Sequence, residues 1–118
     1  MRNYSGNFVV ENYLGTPITG YAQHLLEDSD VHSQICTFTD LPHNGRTSPI
    51  QFHTETGHGD FWSISFIAYN RLFVAIKKCD YKKEDAPQTL ILRFVRDGDK
   101  FEFKVICPES SDCDMDLL

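Results

Sequence analysis

Apolar and polar residues alternate with a period of two along most of the chain, and no stretch shows a 3.6-residue period over three turns. A period of two marks strands with one buried face. This pattern limits the fold more than any motif does. Residues 7–13 place Phe8 and Val10 on one face, with Val9 and Glu11 on the other. Residues 18–26 set Ile18, Gly20, Ala22 and His24 against Thr19, Tyr21, Gln23 and Leu25. Residues 33–39 alternate Ile35, Thr37 and Thr39 with Gln34, Cys36 and Phe38, and residues 49–55 alternate Ile50, Phe52 and Thr54 with Gln51, His53 and Glu55. Residues 61–69 are apolar on both faces, with Trp62, Ile64, Phe66 and Ala68 forming the cleaner core face. Residues 72–77, 88–95 and 101–107 continue the pattern.

Turn chemistry separates these runs. Gly15 and Pro17, Asn44-Gly45, Gly57 and Gly59, Asn70-Arg71 and Asp97-Gly98 all fall between them, and Asp-Gly and Asn-Gly are strong hairpin signals. Roughly eight or nine short strands punctuated this way predict an all-β antiparallel sandwich of two sheets, with little or no helix. The strands between residues 49 and 76 are expected at its centre. Residues 51–66 are expected to form the organising hairpin.

The 118 residues make one domain large enough for a core of its own. Net charge is −6, and −4 of it falls within residues 109–118 on Glu109, Asp112, Asp114 and Asp116, which leaves −2 for residues 1–108. The chain therefore divides into a domain, 1–108, and an acidic C-terminal tail, 109–118. This balance argues against nucleic acid as a partner and against docking on anionic lipid, both of which need a basic face. No apolar run is long enough to span a membrane as a helix, and the first residues lack the apolar core of a signal peptide. The expectation is a cytoplasmic protein, or one exported without such a signal. Cys36, Cys79, Cys107 and Cys113 are then expected as reduced, buried thiols, and without a C-x-x-C pair they do not suggest zinc.

Chemistry-bearing residues gather at one turn. His53, His58 and Asp60 are the weak metal candidates, because imidazole and carboxylate ligate zinc and Gly57 and Gly59 let the loop fold back. A third histidine would come from His24, His32 or His43. Cys79 with His53 or His58 is a formal nucleophile pair. Glu27, Asp28 and Asp30 lack the register of a calcium loop. No catalytic motif is complete, and no cofactor is expected. The aromatic residues Trp62, Phe61, Tyr69, Phe73, Tyr13 and Tyr21 exceed what one sheet face buries, which suggests an aromatic binding surface.

In size, acidity, aromatic content and lack of a signal peptide the chain resembles the aegerolysins, small lipid-binding cytolytic β-sandwich proteins. The resemblance is architectural, carries over no residue roles, and implies a lipid- or membrane-binding alternative. The leading expectation is a non-catalytic module that binds a protein partner through loops and an aromatic surface, in the manner of an acidic inhibitor or immunity protein. Its site would be Thr56, His58 and Asp60 at the turn, with His53 and Trp62 beside it. A lipid, a glycan or a second copy of the chain are the other ligands left open, and a metal-dependent enzyme using His53, His58 and Asp60 is the remaining alternative.

Overall fold

The computed structural model describes residues 3–27, 29–55 and 59–117. Nine strands follow one another as β1 (Asn3–Tyr13), β2 (Ile18–Leu26), β3 (Ser29–Leu41), β4 (Ile50–Glu55), β5 (Asp60–Ala68), β6 (Arg71–Lys78), β7 (Thr89–Asp97), β8 (Lys100–Ile106) and β9 (Cys113–Leu117). One short 3₁₀ turn, Lys83–Asp85, lies between β6 and β7. The strands build an all-β sandwich: a five-stranded sheet ordered β4-β1-β7-β8-β9 and a four-stranded sheet ordered β3-β2-β5-β6. Neighbours are antiparallel except β1 and β7, which run parallel. A parallel pair needs a long crossover, and here the whole four-stranded sheet lies between its two members.

The partition of strands corrects the expected centre. Residues 51–66 are not a hairpin. β4 pairs with β1 at the edge of one sheet, whereas β5 pairs with β2 and β6 in the other. β1 and β2 likewise lie in different sheets. β5 is interior, but β6 is an edge strand. β2–β3, β5–β6 and β7–β8 are close hairpins, and the turns of the last two show their type. The β5–β6 hairpin turns on Tyr69 and Asn70, both at positive φ (52° and 57°), as a type I′ turn requires. In β7–β8 only Gly98 is at positive φ, 62°, the pattern of a type II′ turn rather than the type I′ that Asp-Gly suggests.

The inward faces mesh into one aromatic core. Phe8, Phe52, Trp62, Phe66, Phe94 and Phe103 are fully buried. Phe8 and Phe52 meet Trp62 edge-on at 5.5 and 5.1 Å, and Phe66 stacks on Phe94 at 4.5 Å. The Trp62 indole N–H donates to the Cys79 carbonyl at 2.9 Å, so its polar edge is satisfied inside the core. β2 and β5 approach closely at Gly20, where an added Cβ would lie 2.1 Å from the Ser65 carbonyl oxygen.

The acidic C-terminus joins the sheet. Residues 113–117 form β9 against β8, with Asp114 and Asp116 exposed and Leu117 buried. Cys113 is disulfide-bonded to Cys79, with Cα atoms 6.0 Å apart, so the expectation of four reduced thiols is corrected to two: Cys36 and Cys107 are free and buried. The bond links the end of β6 in one sheet to β9 in the other. Spacing along the chain gave no sign of this pair, because its members, 34 positions apart, are brought together by pairing across the sandwich.

Candidate functional site

Asp60 and Trp62 share the inward phase of β5 with Ile64 and Phe66. Asp60 is therefore a core residue rather than part of a loop tip. Its Oδ1 accepts from Thr54 Oγ1 at 2.6 Å and contacts His24 Nε2 at 2.7 Å, and its Oδ2 accepts the Tyr81 N–H at 2.8 Å. A buried carboxylate persists only when its lone pairs are matched in this way. The three partners come from β2, β4 and the segment after β6, so Asp60 fastens both sheets to residues 79–81. The Asp60 carbonyl also accepts the Cys79 N–H at 2.9 Å.

His24 is wholly buried, with ring centroids 4.7 Å from Phe52 and 4.8 Å from Trp62. Its Nδ1 is a buried atom with no protein hydrogen-bond partner among the described residues. His53 is exposed on the outward face of β4, opposite in phase to Thr54, and its Nδ1 lies 2.6 Å from Ser5 Oγ. His53 and Asp60 thus sit on opposite sides of the five-stranded sheet. His43 accepts the Gly15 N–H at Nδ1, 3.0 Å. Thr56, Gly57 and His58 lie outside the described residues, as does the side chain of His32. Among the described residues no group of three or more His, Cys, Asp or Glu is placed to hold a metal ion.

A second buried carboxylate organises the C-terminal loop. Asp85 accepts N–H groups from Lys82, Glu109 and Ser110, each at 2.8 Å. Burial alone would raise its carboxyl pKa, but the Ser110 hydroxyl and these N–H groups outweigh that and hold it below the ordinary range. The Tyr81 hydroxyl lies between the carbonyl oxygens of Asp85, at 2.9 Å, and Gln88, with one hydrogen to share between them. Burial, with the Asp85 charge, raises the Tyr81 pKa. Burial also pushes the Cys107 thiol up to about 11. That leaves it a poor nucleophile at neutral pH.

The outward faces of the two sheets differ in kind. On the five-stranded sheet, register aligns Glu11, Arg93, Lys104 and Asp114 across β1, β7, β8 and β9. Glu11 is buried between two arginines, accepting Arg93 Nε at 2.8 Å and Arg46 Nε at 2.8 Å. Burial would raise its pKa, but hydrogen bonds from Arg46 and Arg93 hold it below the usual value. A shallow concavity beside this row is lined by Arg93, Lys104, Ile106, Asp112, Cys113 and Asp114.

On the four-stranded sheet, Ile35, Ile67, Leu72, Val74 and Ile76 are 50–66% exposed. Register places Thr19, Ile67 and Leu72 in one row, Thr37, Tyr21, Ser65 and Val74 in the next, then Ile35, Gln23, Ser63 and Ile76, then Leu25, Phe61 and Lys78. Lys78 is the single charged side chain in these rows. The expected aromatic surface is thereby redistributed. Trp62 and Phe73 are buried, Phe61, Tyr13 and Tyr21 are half-buried, and the exposed apolar residues are mostly aliphatic. The signal for this face was the two-sided apolar pattern of residues 61–76, which reads equally as a strand covered on both sides.

The chain matches no protein-family model, and no curated protein matches it at a significant level. The described residues include no helix long and apolar enough to cross a membrane.

Proposed function

We propose that the chain is a non-catalytic binding module that engages a protein through the outward face of its four-stranded sheet. The observation that carries this reading is the run of exposed aliphatic side chains on β3, β5 and β6, set among uncharged neighbours. Contiguous apolar surface of this kind is rarely left bare. Depletion of charge at the centre of a patch is characteristic of protein interfaces. Ser63, Ser65, Gln23 and Thr37 are interspersed across it. A protein surface can meet their hydrogen-bonding groups, whereas the hydrocarbon of a bilayer cannot. That favours protein over the lipid-binding alternative.

The same face shifts the reading away from an acidic inhibitor. A basic partner would seek carboxylates, and those exposed within the strands' outward rows include Asp114 and Asp116 on β9 of the other sheet. The turn at residues 56–60 loses Asp60 as a ligand-facing group, because both of its oxygens are engaged internally. The Cys79–Cys113 bond supports a compartment where disulfides persist, and weighs against the cytoplasmic expectation. A photo-crosslinker in place of Val74 tests the reading in the cells that make the protein. Discrete crosslinked products are expected from position 74 and none from a crosslinker at Gln51 on the opposite sheet. Equal, diffuse labelling from both positions would show that the apolar face is not a binding surface.

A further inference from the structure

We infer that the protein seated on this face is a second copy of the same chain, packed sheet on sheet about a two-fold axis. The inference rests on the binding role proposed above and specifies its partner. Three features of the face support it.

The first is charge. Two copies of a chain with net charge −6 repel each other wherever they present carboxylates. Among the described residues the outward face of the four-stranded sheet presents almost none, so it is where two copies meet at least electrostatic cost. The opposite face sets Glu102 beside Asp116 and leaves Asp114 exposed, so a second copy laid on it would bring carboxylates together.

The second is self-complementarity at the corners. Lys78 closes one corner, on β6 beside Phe61. Asp40 closes the diagonally opposite corner, where its N–H bonds Thr19 Oγ1 at 3.0 Å beside the row of Thr19, Ile67 and Leu72. A two-fold axis in the plane of the face, perpendicular to the line that joins these corners, exchanges them. It sets Asp40 of each copy against Lys78 of the other, twice. Strands of the two sheets then cross at about 70°, nearer the orthogonal than the aligned mode of sheet packing.

The third is area. Four strands spaced at about 4.8 Å, each with four outward rows, cover about 500 Å² per copy, or about 1,000 Å² in the pair. That sits at the lower limit for a specific interface. A dimer of this size forms with concentration rather than being permanent.

Sedimentation equilibrium on the full chain tests this. The average mass is expected to rise from 13.6 kDa toward twice that value as concentration passes about 10 μM. Val74→Lys should weaken the dimer at least 100-fold with the circular dichroism unchanged, and Gln51→Lys should leave it intact. Asp40→Lys should weaken it about tenfold, and adding Lys78→Asp to the same chain should restore it. A single 13.6 kDa species at every concentration, or a dimer indifferent to both Val74→Lys and the charge exchange, overturns the inference. If the chain stays monomeric while position 74 crosslinks a different protein, the second copy is wrong and the binding role stands. If it stays monomeric and sediments with phosphatidylcholine vesicles through Val74, both readings give way to the lipid alternative.

Discussion

The two outward faces of this sandwich solve the same problem differently. Each must meet water, and each is built from strands whose inner residues fill one core. On the five-stranded sheet the outward face is charged, with Glu11 held by Arg46 and Arg93 and with Lys104, Asp114, Glu102 and Asp116 in the rows beside it. On the four-stranded sheet the most exposed outward residues are aliphatic, Ile35, Ile67, Leu72, Val74 and Ile76, set among uncharged polar ones. A charged face is satisfied by water in the monomer. A face of exposed isoleucine, leucine and valine is not. The difference separates residues that hold the fold from residues that are free to serve an interaction.

Substitutions can break that separation, and the largest effect should come from the interior shared by both sheets. Asp60→Ala leaves His24 without its acceptor in the core and frees the Tyr81 N–H. The expected loss is about 3–5 kcal/mol in urea unfolding. A loss under 1 kcal/mol would mean that Asp60 is not the fastening between the sheets. Gly20→Ala should follow at about 2–3 kcal/mol, because the new methyl group would meet the Ser65 backbone and push β2 from β5.

Glu11→Gln should cost less, about 1–2 kcal/mol, since both arginine partners are partly exposed. Its pH dependence has a definite sign. The folded pKa lies below the ordinary value of 4.5, so the folded state binds fewer protons than the unfolded state in that range. The stabilisation is complete above the ordinary value and is lost as pH falls toward the folded pKa. Acid titration of stability should be flatter in Glu11→Gln than in the parent chain, and identical slopes would contradict the pairing. Asp85 has the same sign and is left unchanged by this substitution. The smallest effect on stability belongs to Val74→Lys, expected within about 0.5 kcal/mol because the site is exposed. Unfolding midpoints for Glu11→Gln and Val74→Lys that shifted equally would erase the distinction between the two faces.

Much of this was legible in the sequence. The period of two located eight strands, and the parity of β5 already placed Asp60 in phase with Trp62, Ile64 and Phe66. The same parity put His24 with Ile18 and Ala22, and Thr54 with Ile50 and Phe52. Three polar residues on inward faces imply a buried network. The crowding of His and Gly at residues 57–59 drew attention to the turn instead. The assignment of strands to sheets was not legible. A turn signal such as Gly15 with Pro17 says that the chain reverses, not whether the next strand stays in the same sheet. β9 was obscured by its charge, although Cys113, Met115 and Leu117 alternate with Asp114 and Asp116 as a one-sided edge strand does. The exposed face could not be told from a covered one, because burial depends on what the second side of the sheet meets.

The parallel pairing of β1 with β7 has a consequence for the order in which the protein is made. β1 leaves the ribosome first, yet its neighbour β7 begins only at Thr89. The four-stranded sheet uses nothing beyond Lys78. At about 5–20 residues per second the 28 residues from Cys79 to Ile106, the end of β8, take about 1–6 s to synthesise. For that interval Phe66 has no Phe94 to stack on, while Leu72, Val74 and Ile76 are bare on the other side. The nascent sheet is adhesive on both faces before it is finished. Pulsed hydrogen exchange on stalled chains should find the β2 and β5 amides protected before those of β1. Neighbouring copies emerging from one polysome would meet through the face that is finished first.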